Sequence, residues 1–429
     1  MTASTAATDG ELLQRARRVL PGITQTYSKA PDQQVEGVYP VFLERGEGCR
    51  VWDLAGNAYI DYPCALGPMV LGYADAEVDA AARDRVNGGP CFSLGHRLEV
   101  EVAELLVEMV PGAEMVRFLK TGSEATTATV RLARAATGRD HVAMCGYHGW
   151  HDWAIGHTTR SAGVPPAVRE LTHQWTYNDL ESLRAVLEKH RGGVAAVIME
   201  PVGVEPPAPG FLEGVRALAD EHGALLIFDE VITGFRLAPG GAQEYFGVLP
   251  DLAAFGKAMA NGYPLAAVTG RATVMEQIAS TVFISSTFGG DTVSLAASLA
   301  TMRRIRAGGV IEHLWRQGAR IMEGFNALAS EHEVPARMIG LAPRRVIAFE
   351  PAGGADGNGV KGLLWQECLD RGVLMGNANF VSLAHDDAAV DATLDAFDGA
   401  LAVVGQAVRQ GDVTSRLRGH EPAEVFRRA

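Results

Sequence analysis

Between Met115 and Lys257 the chain repeats one pattern. Short runs that are apolar throughout ("MVRFL", "HVAMC", "VAAVIME", "ALLIFDEV", "LAAFG") alternate with longer amphipathic runs ("SEATTATVRLARAAT", "SLRAVLEKH", "FLEGVRALADEHG"). A strand with no polar face cannot turn one side to water. Such strands, joined by amphipathic helices, fit a mainly parallel sheet covered on both faces. Ligands of these sheets collect beyond the carboxyl ends of the strands. The residues placed there are Thr121, Gly122, Ser123, Tyr147, His148, Glu200, Asp229 and Lys257.

The remainder reads as a smaller unit around this one. Residues 11–20 are amphipathic at helical spacing, and so are residues 99–109. "VFLERGEGCRVWDLAGNAYIDY" alternates around two turn signals and reads as a β-meander. A long helix is expected after about residue 300, followed by a second α/β domain with strands at "RVIAFE" and "FVSLAH". The expected division is residues 1–65, which join the small domain, 66–305 as the large domain, and 306–429 as the C-terminal small domain. With 429 residues, 47% hydrophobic and 21% charged, there is material for a large core. No apolar run approaches the ~18 residues of a membrane span, and the N-terminus lacks the apolar stretch of a signal peptide. The five cysteines have no C-x-x-C spacing, so reduced thiols and a cytoplasmic location are expected. A net charge of −13 argues against nucleic acid as a partner. In "CGYHGWHDW", His148, His151 and Asp152 do not have metal-ligand spacing, and no metal is expected.

The chemistry is narrowed by the scarcity of lysine. There are five (Lys29, Lys120, Lys189, Lys257 and Lys361) against 33 arginines, which is the 38 basic residues less five. Arginine forms no Schiff base, so imine chemistry has five candidates. Lys189 and Lys361 read as exposed helix residues and Lys29 lies in an irregular stretch, which leaves Lys120 and Lys257. Lys257 follows a buried strand and precedes a Gly/Asn/Pro turn. In "FLKTGSEATTATVRLAR" a strand ends where a helix begins, and free N–H groups with hydroxyls at that point make an anion site. The alternative is that Ser123 simply caps the helix with Glu124 in its first turn. Asp229 at a strand end needs a cation to remain ionised, and a protonated pyridine nitrogen would serve; it could also cap a turn. Tyr147 offers a flat face for ring stacking. A phosphate cup, a stacking ring, a carboxylate and a lysine together fit pyridoxal phosphate.

The ordered motifs "TGSEA", "YHGW", "IMEPV", "FDEVITGFR", "FGKAMANG" and "STFGGDTVSLAA" resemble the class III (subgroup II) pyridoxal-phosphate aminotransferases of fold type I, and most of all the glutamate-1-semialdehyde 2,1-aminomutase branch. The resemblance runs from "VWDLAGNAYIDY" to "FVSLAH". It implies a large domain with a seven-stranded sheet and a smaller α/β domain. It further implies Gly122 and Ser123 at the phosphate with Thr121 beside them, Tyr147 on the pyridine, Asp229 at its nitrogen, Val231 on the opposite ring face, and Lys257 as the Schiff-base lysine. Thr287 would reach the phosphate of a neighbouring subunit, which implies a homodimer with shared sites. The implied activity is amino transfer between an amine donor and a carbonyl acceptor, or alternatively amino migration or epimerisation at an amine-bearing carbon. Two departures bear on the substrate. "TQTYSKAPDQ" has Lys29 where that branch places an arginine for the substrate carboxylate, and Glu205 stands where it has a neutral amide. With His148, these are the expected substrate-facing residues; "QTYSK", "YHGWHDW" and "TFGGDT" further resemble a sub-branch associated with polysaccharide and secondary-metabolite clusters, which implies an amino-sugar or aminocyclitol substrate and a part in antibiotic biosynthesis.

Overall fold

A computed structural model describes residues 9–423. It divides into two compact units. Among the described residues, one holds residues 9–66, Leu71–Asp75 and residues 314–423; the other holds Gly67–Val70 and Ala76–His313.

In the larger unit, seven strands form one sheet: Met115–Leu119, His141–Cys145, Thr172–Gln174, Val194–Met199, Leu225–Asp229, Leu252–Phe255 and Ala266–Gly270. Three strands precede them in the chain, Leu43–Glu47 (β1), Arg50–Asp53 (β2) and Ala58–Asp61 (β3), so the seven are β4 to β10. Their order is β4-β10-β9-β8-β7-β5-β6. The run from β9 to β6 is parallel, and β10 is antiparallel to both its neighbours. The sheet is therefore mainly parallel, as expected. Two of its strands give little signal in the sequence. β6 has three residues, all of them polar, and β10 follows the lysine turn so closely that "PLAAV" reads as its tail.

Alternation along the strands separates two apolar layers. Val142, Met144, Ile198, Ile227 and Val268 pack with Val130 and Leu132 of the Gly122–Thr137 helix. Ala143, Val197, Met199, Leu226 and Phe228 pack with the Leu180–Lys189 and Phe211–His222 helices. All six residues of β7 are buried, and each large apolar side chain so placed contributes roughly 1.5–3 kcal/mol. The Phe211–His222 helix stops at Gly223 in the left-handed conformation, φ 61°.

The long helix expected after residue 300 is two helices, Thr292–Arg306 and Val310–Glu331. Gly308 and Gly309 separate them, both at positive φ (92° and 83°), where helical hydrogen bonding cannot continue.

In the other unit β1, β2 and β3 form the expected meander. Val373–Leu374 (β13) adds in parallel to β3, which ties the two ends of the chain into one sheet. Ala336–Leu341 (β11), Arg344–Phe349 (β12) and Asn379–Phe380 (β14) make a second sheet. "FVSLAH" gives only the end of β14, because Ser382 N and Oγ bond to His385 Nδ1 (3.1 and 2.8 Å) and turn the chain. Lys361 is half-buried, with its ammonium 5.4 Å from the centre of the Trp365 ring, and is not the exposed residue expected.

Candidate active site

The carboxyl ends of β5, β8 and β9 and the start of the Gly122–Thr137 helix all lie in the larger unit. Glycines mark how closely they approach. A methyl group on Gly122 would lie 3.0 Å from Val231 Cγ1, and one on Gly256 3.6 Å from the same atom. At Gly149 it would overlap Ser123 Oγ and come within 2.7 Å of Ser123 Cβ. The helix start, Val231 two residues beyond Asp229, the turn before Lys257 and the loop after Tyr147 thus form one cradle.

Thr121, not Ser123, is the helix cap. Its Oγ1 accepts from Glu124 N (3.3 Å), and Glu124 Oε2 accepts from Thr121 N (2.8 Å) and Lys120 N (2.9 Å). The Thr121 hydroxyl also donates to Glu124 Oε2, so its side chain belongs to the cap. This reciprocal cap leaves the N–H groups of Gly122 and Ser123 at the positive end of a 16-residue helix, with Ser123 Oγ beside them. These groups suit a phosphate.

Asp229 ends β8 and is 6% exposed. Its Oδ1 accepts from Val231 N at 3.1 Å, and Oδ2 lies 2.8 Å from His148 Nδ1. His148 Nε2 lies 2.9 Å from the Cys145 carbonyl oxygen. A carbonyl can only accept, so Nε2 carries a proton. Burial, the largest influence, works against a charged His148. The hydrogen bond and charge of Asp229, the charge of Glu200 and the Cys145 carbonyl outweigh it and raise its pKa. A histidine so placed pairs with Asp229 and leaves lone pairs of that carboxyl group for a protonated ring nitrogen. His148 was expected to face the substrate; with no side-chain exposure and both ring nitrogens bonded, it lies behind Asp229 instead.

Glu230, the next residue, has a structural task. Fully buried, it accepts from Ala242 N (2.6 Å), Gln243 N (3.0 Å) and Thr233 Oγ1 (2.7 Å). Burial raises its pKa despite these bonds.

The two lysine candidates separate clearly. Lys120 Nζ pairs with Asp291 Oδ2 at 2.5 Å and donates to the Pro264 carbonyl at 3.0 Å. Both contacts occupy its amine. Lys257 is half-buried at the start of a 3₁₀ turn after β9, and its φ of 44° is rare for a residue with a side chain. Tyr147 is 52% exposed; burial of the rest of its ring, and then the Asp229 charge, raise its pKa.

Three other expected residues are exposed. Lys29 is exposed in the smaller unit, where its charge acts on Asp61. Glu205 is exposed on the loop after β7, which Asn178 braces through Pro206 O (3.2 Å) and Ala208 N (2.9 Å). Thr287 is exposed on the segment after residue 280. The supports behind Tyr147 are further members of the site. Thr126 Oγ1 donates to the His148 carbonyl (2.7 Å), Thr127 Oγ1 meets His151 Nδ1 (2.7 Å), and Trp153 Nε1 donates to Thr127 Oγ1 (2.8 Å). Their signal in the sequence is the adjacent pair Thr126 and Thr127 inside a helix, where β-branched residues are poor formers.

Fold and cradle together define a fold type I pyridoxal-phosphate enzyme. The residues fit that cofactor: helix N–H groups for its phosphate, the Asp229 carboxyl for its ring nitrogen and the Lys257 amine for its aldehyde. Residues 32–401 match the family described as aminotransferase class-III, and the chain belongs to that family. It is 40% identical over 430 residues to glutamate-1-semialdehyde 2,1-aminomutase of Roseiflexus castenholzii, covering 93% of this chain and 98% of the other. With 3-aminobutyryl-CoA aminotransferase of Cloacimonas acidaminovorans it shares 39% identity over 346 residues, 79% of this chain and 83% of that protein. Among solved structures, the Sphingopyxis FumI protein in its pyridoxal-phosphate internal aldimine form superposes with a TM-score of 0.86 at 33% identity, covering 92% of this chain and 96% of the other.

Proposed function

We propose that this protein is an aminotransferase whose amine substrate carries nitrogen on a carbon away from any free α-carboxylate. The observation that carries the reading is the group formed by Lys257, the Asp229–His148 pair and the Gly122–Thr137 helix start. Pyridoxal phosphate, when bound, supplies an electron sink for bond cleavage at the amine-bearing carbon. Gly122 and Ser123 hold its phosphate, Tyr147 and Val231 flank its ring, and Asp229 presents a carboxylate to the ring nitrogen. Lys257 Nζ would hold the cofactor's aldehyde carbon and would serve as the base that holds and moves the proton.

The substrate class is supported by "TQTYSKAPDQ", which offers no arginine for a carboxylate, and by Glu205, an exposed carboxylate that favours a cationic, amine-bearing molecule. The names of the relatives agree, since 3-aminobutyryl-CoA and glutamate-1-semialdehyde both bear amines away from an α-amino-acid centre. An amino-sugar or aminocyclitol satisfies the same requirements. Amino migration within one molecule is the second reading, favoured by the 40% identity to an aminomutase over nearly the full length.

Sharing of sites in a homodimer forms part of the proposal. Phe92, Leu94, Phe283 and Phe288 are 54%, 85%, 81% and 59% exposed. Their two segments are joined where Thr292 N bonds to the Pro90 carbonyl at 2.8 Å and Thr292 Oγ1 to Gly89 O at 3.0 Å. Exposed apolar surface of this kind calls for a partner. The test is to mix the cofactor-loaded enzyme with aminocyclitols, amino sugars, β-amino thioesters and glutamate-1-semialdehyde, and to follow conversion to the pyridoxamine form. Conversion by an amine without an α-carboxylate, with release of its carbonyl product, supports the reading. Turnover of the semialdehyde alone, without net transamination, overturns it in favour of the mutase.

A further inference from the structure

Three histidines converge at a place the catalytic residues do not use. His141 opens β5, His173 lies in the middle of β6, and His190 caps the C-terminal end of the Leu180–Lys189 helix. The strand register sets His173 beside Ala143. Side chains alternate along a strand, so His141, two residues earlier, shares the face of His173. The helix brings His190 onto that face. Gly193 N bonds back to the His190 carbonyl at 2.8 Å, and His141 N bonds to the Gly193 carbonyl at 3.0 Å, so backbone bonds link His190 to the start of β5.

As a result, His141 Nδ1 and His173 Nε2 are 3.0 Å apart, and one nitrogen from each of the three rings lies within 4.8 Å of the others. His190 Nε2 is buried and has no hydrogen-bond partner among the described residues. An unpaired buried nitrogen is unfavourable unless something binds it. Four-coordinate metal–nitrogen bonds of ~2.0–2.1 Å set ligand nitrogens about 3.3 Å apart, within the spacing seen here. The His173 and His190 rings are stacked with centroids 3.8 Å apart, so coordination requires rotation about side-chain torsions, with the backbone already in place.

We propose that His141, His173 and His190 form a binding site for a divalent transition-metal cation, Zn2+ foremost, with water in the fourth position. A donor set made wholly of imidazoles suits Zn2+, Ni2+ or Cu2+ and does not suit Mg2+ or Ca2+, which require oxygen. The metal would clip β6, a three-residue strand that among the described residues pairs only with β5, to its neighbour and to the adjacent helix end. His141 and the Cys145 end of β5, beyond which Tyr147 and His148 follow, are about 13 Å apart along the strand. The site should therefore act on stability and leave the chemistry unchanged.

The experiment uses the cofactor-loaded enzyme in metal-free buffer, titrated with Zn2+ and followed by calorimetry and thermal unfolding. The expected result is one equivalent bound per chain with micromolar or tighter affinity, and a rise in Tm of about 3 °C at a hundredfold excess over Kd. His173→Gln and His190→Gln should each weaken binding at least tenfold and leave the cofactor spectrum unchanged. Co2+ loading of the unmodified enzyme reads the same site without any variant: visible bands of a nitrogen-bound tetrahedral ion are expected. Absence of binding overturns the proposal. So does Zn2+ binding that survives both substitutions and is lost in Cys91→Ser, since Cys91 carries the exposed thiol.

Discussion

His148→Asn tests the electrostatics of the site most directly. Asparagine can place a neutral N–H donor near the position of His148 Nδ1, but it cannot carry a charge or reach the Cys145 carbonyl. The bond to be weakened is 2.8 Å long between side chains that are 0% and 7% exposed, so water does little to screen it. A hydrogen bond with a charged partner contributes about 1.5–3 kcal/mol and a neutral one about 0.5–1.5 kcal/mol. Replacing one by the other should cost about 1–2 kcal/mol of stability at pH 6. The pKa of His148 is raised in the folded protein, so its contribution is fully present below the ordinary histidine value of about 6.5. It is lost as pH rises through the folded value. The stability gap between wild type and variant should therefore narrow as pH rises from 6 toward 10, measured by urea unfolding of the cofactor-loaded enzyme at each pH. A gap that stays constant or widens with pH would refute an imidazolium at His148.

Three further outcomes follow from the same geometry. Borohydride reduction and peptide mapping should label Lys257 and leave Lys120 unlabelled, because Asp291 and Pro264 occupy the Lys120 ammonium; label on Lys120 would reverse the assignment. Gly149→Ala should weaken cofactor binding roughly tenfold to a hundredfold, as measured by dialysis, because a side chain at φ 101° costs about 1–3 kcal/mol and would also come within 2.8 Å of Ser123 Cα; unchanged affinity would mean that the loop does not support the phosphate cup. Thr287→Ala should loosen cofactor retention by about 1.5–3 kcal/mol if its hydroxyl reaches a neighbouring subunit's phosphate, and a fully active monomer would count against the shared site.

The parallel core was legible because its strands are apolar on both faces and its helices amphipathic, a pattern few other folds permit. What the sequence concealed was short or locally ambiguous. β6 presents only Thr172, His173 and Gln174, and its place in the sheet comes from pairing with β5. The break between the two long helices lay in Gly308 and Gly309, but each flank reads as a strong helix on its own. Asp229 and Lys257 stand out as candidates in the sequence because a charge at the end of an apolar run is conspicuous. The task of His148 could not. Its partner Asp229 is 81 residues away in the chain, and only the adjacency of strand ends brings them together. The three-histidine cluster escaped for the same reason, since His141 and His173 are 32 residues apart and show no ligand spacing.

At the lysine turn the local backbone preference is overridden. Ordinary side chains avoid positive φ, yet Lys257 is at 44° and Asn261 at 43°, at the two ends of one short 3₁₀ turn. Asparagine tolerates that region, but lysine has no such excuse, and the strain is of order 1–3 kcal/mol. Its surroundings hold it there. Ala258, Met259 and Ala260 are fully buried, the strand before the turn is buried throughout, and a methyl group on Gly262 would lie 3.1 Å from Met69 Sδ. A residue in that position for stability alone would be glycine. Keeping an amine there despite the backbone cost is what a turn built to deliver Nζ to a reaction centre requires, and it is the reason Lys257→Gly should abolish amino transfer while leaving the turn itself less strained than in the wild type.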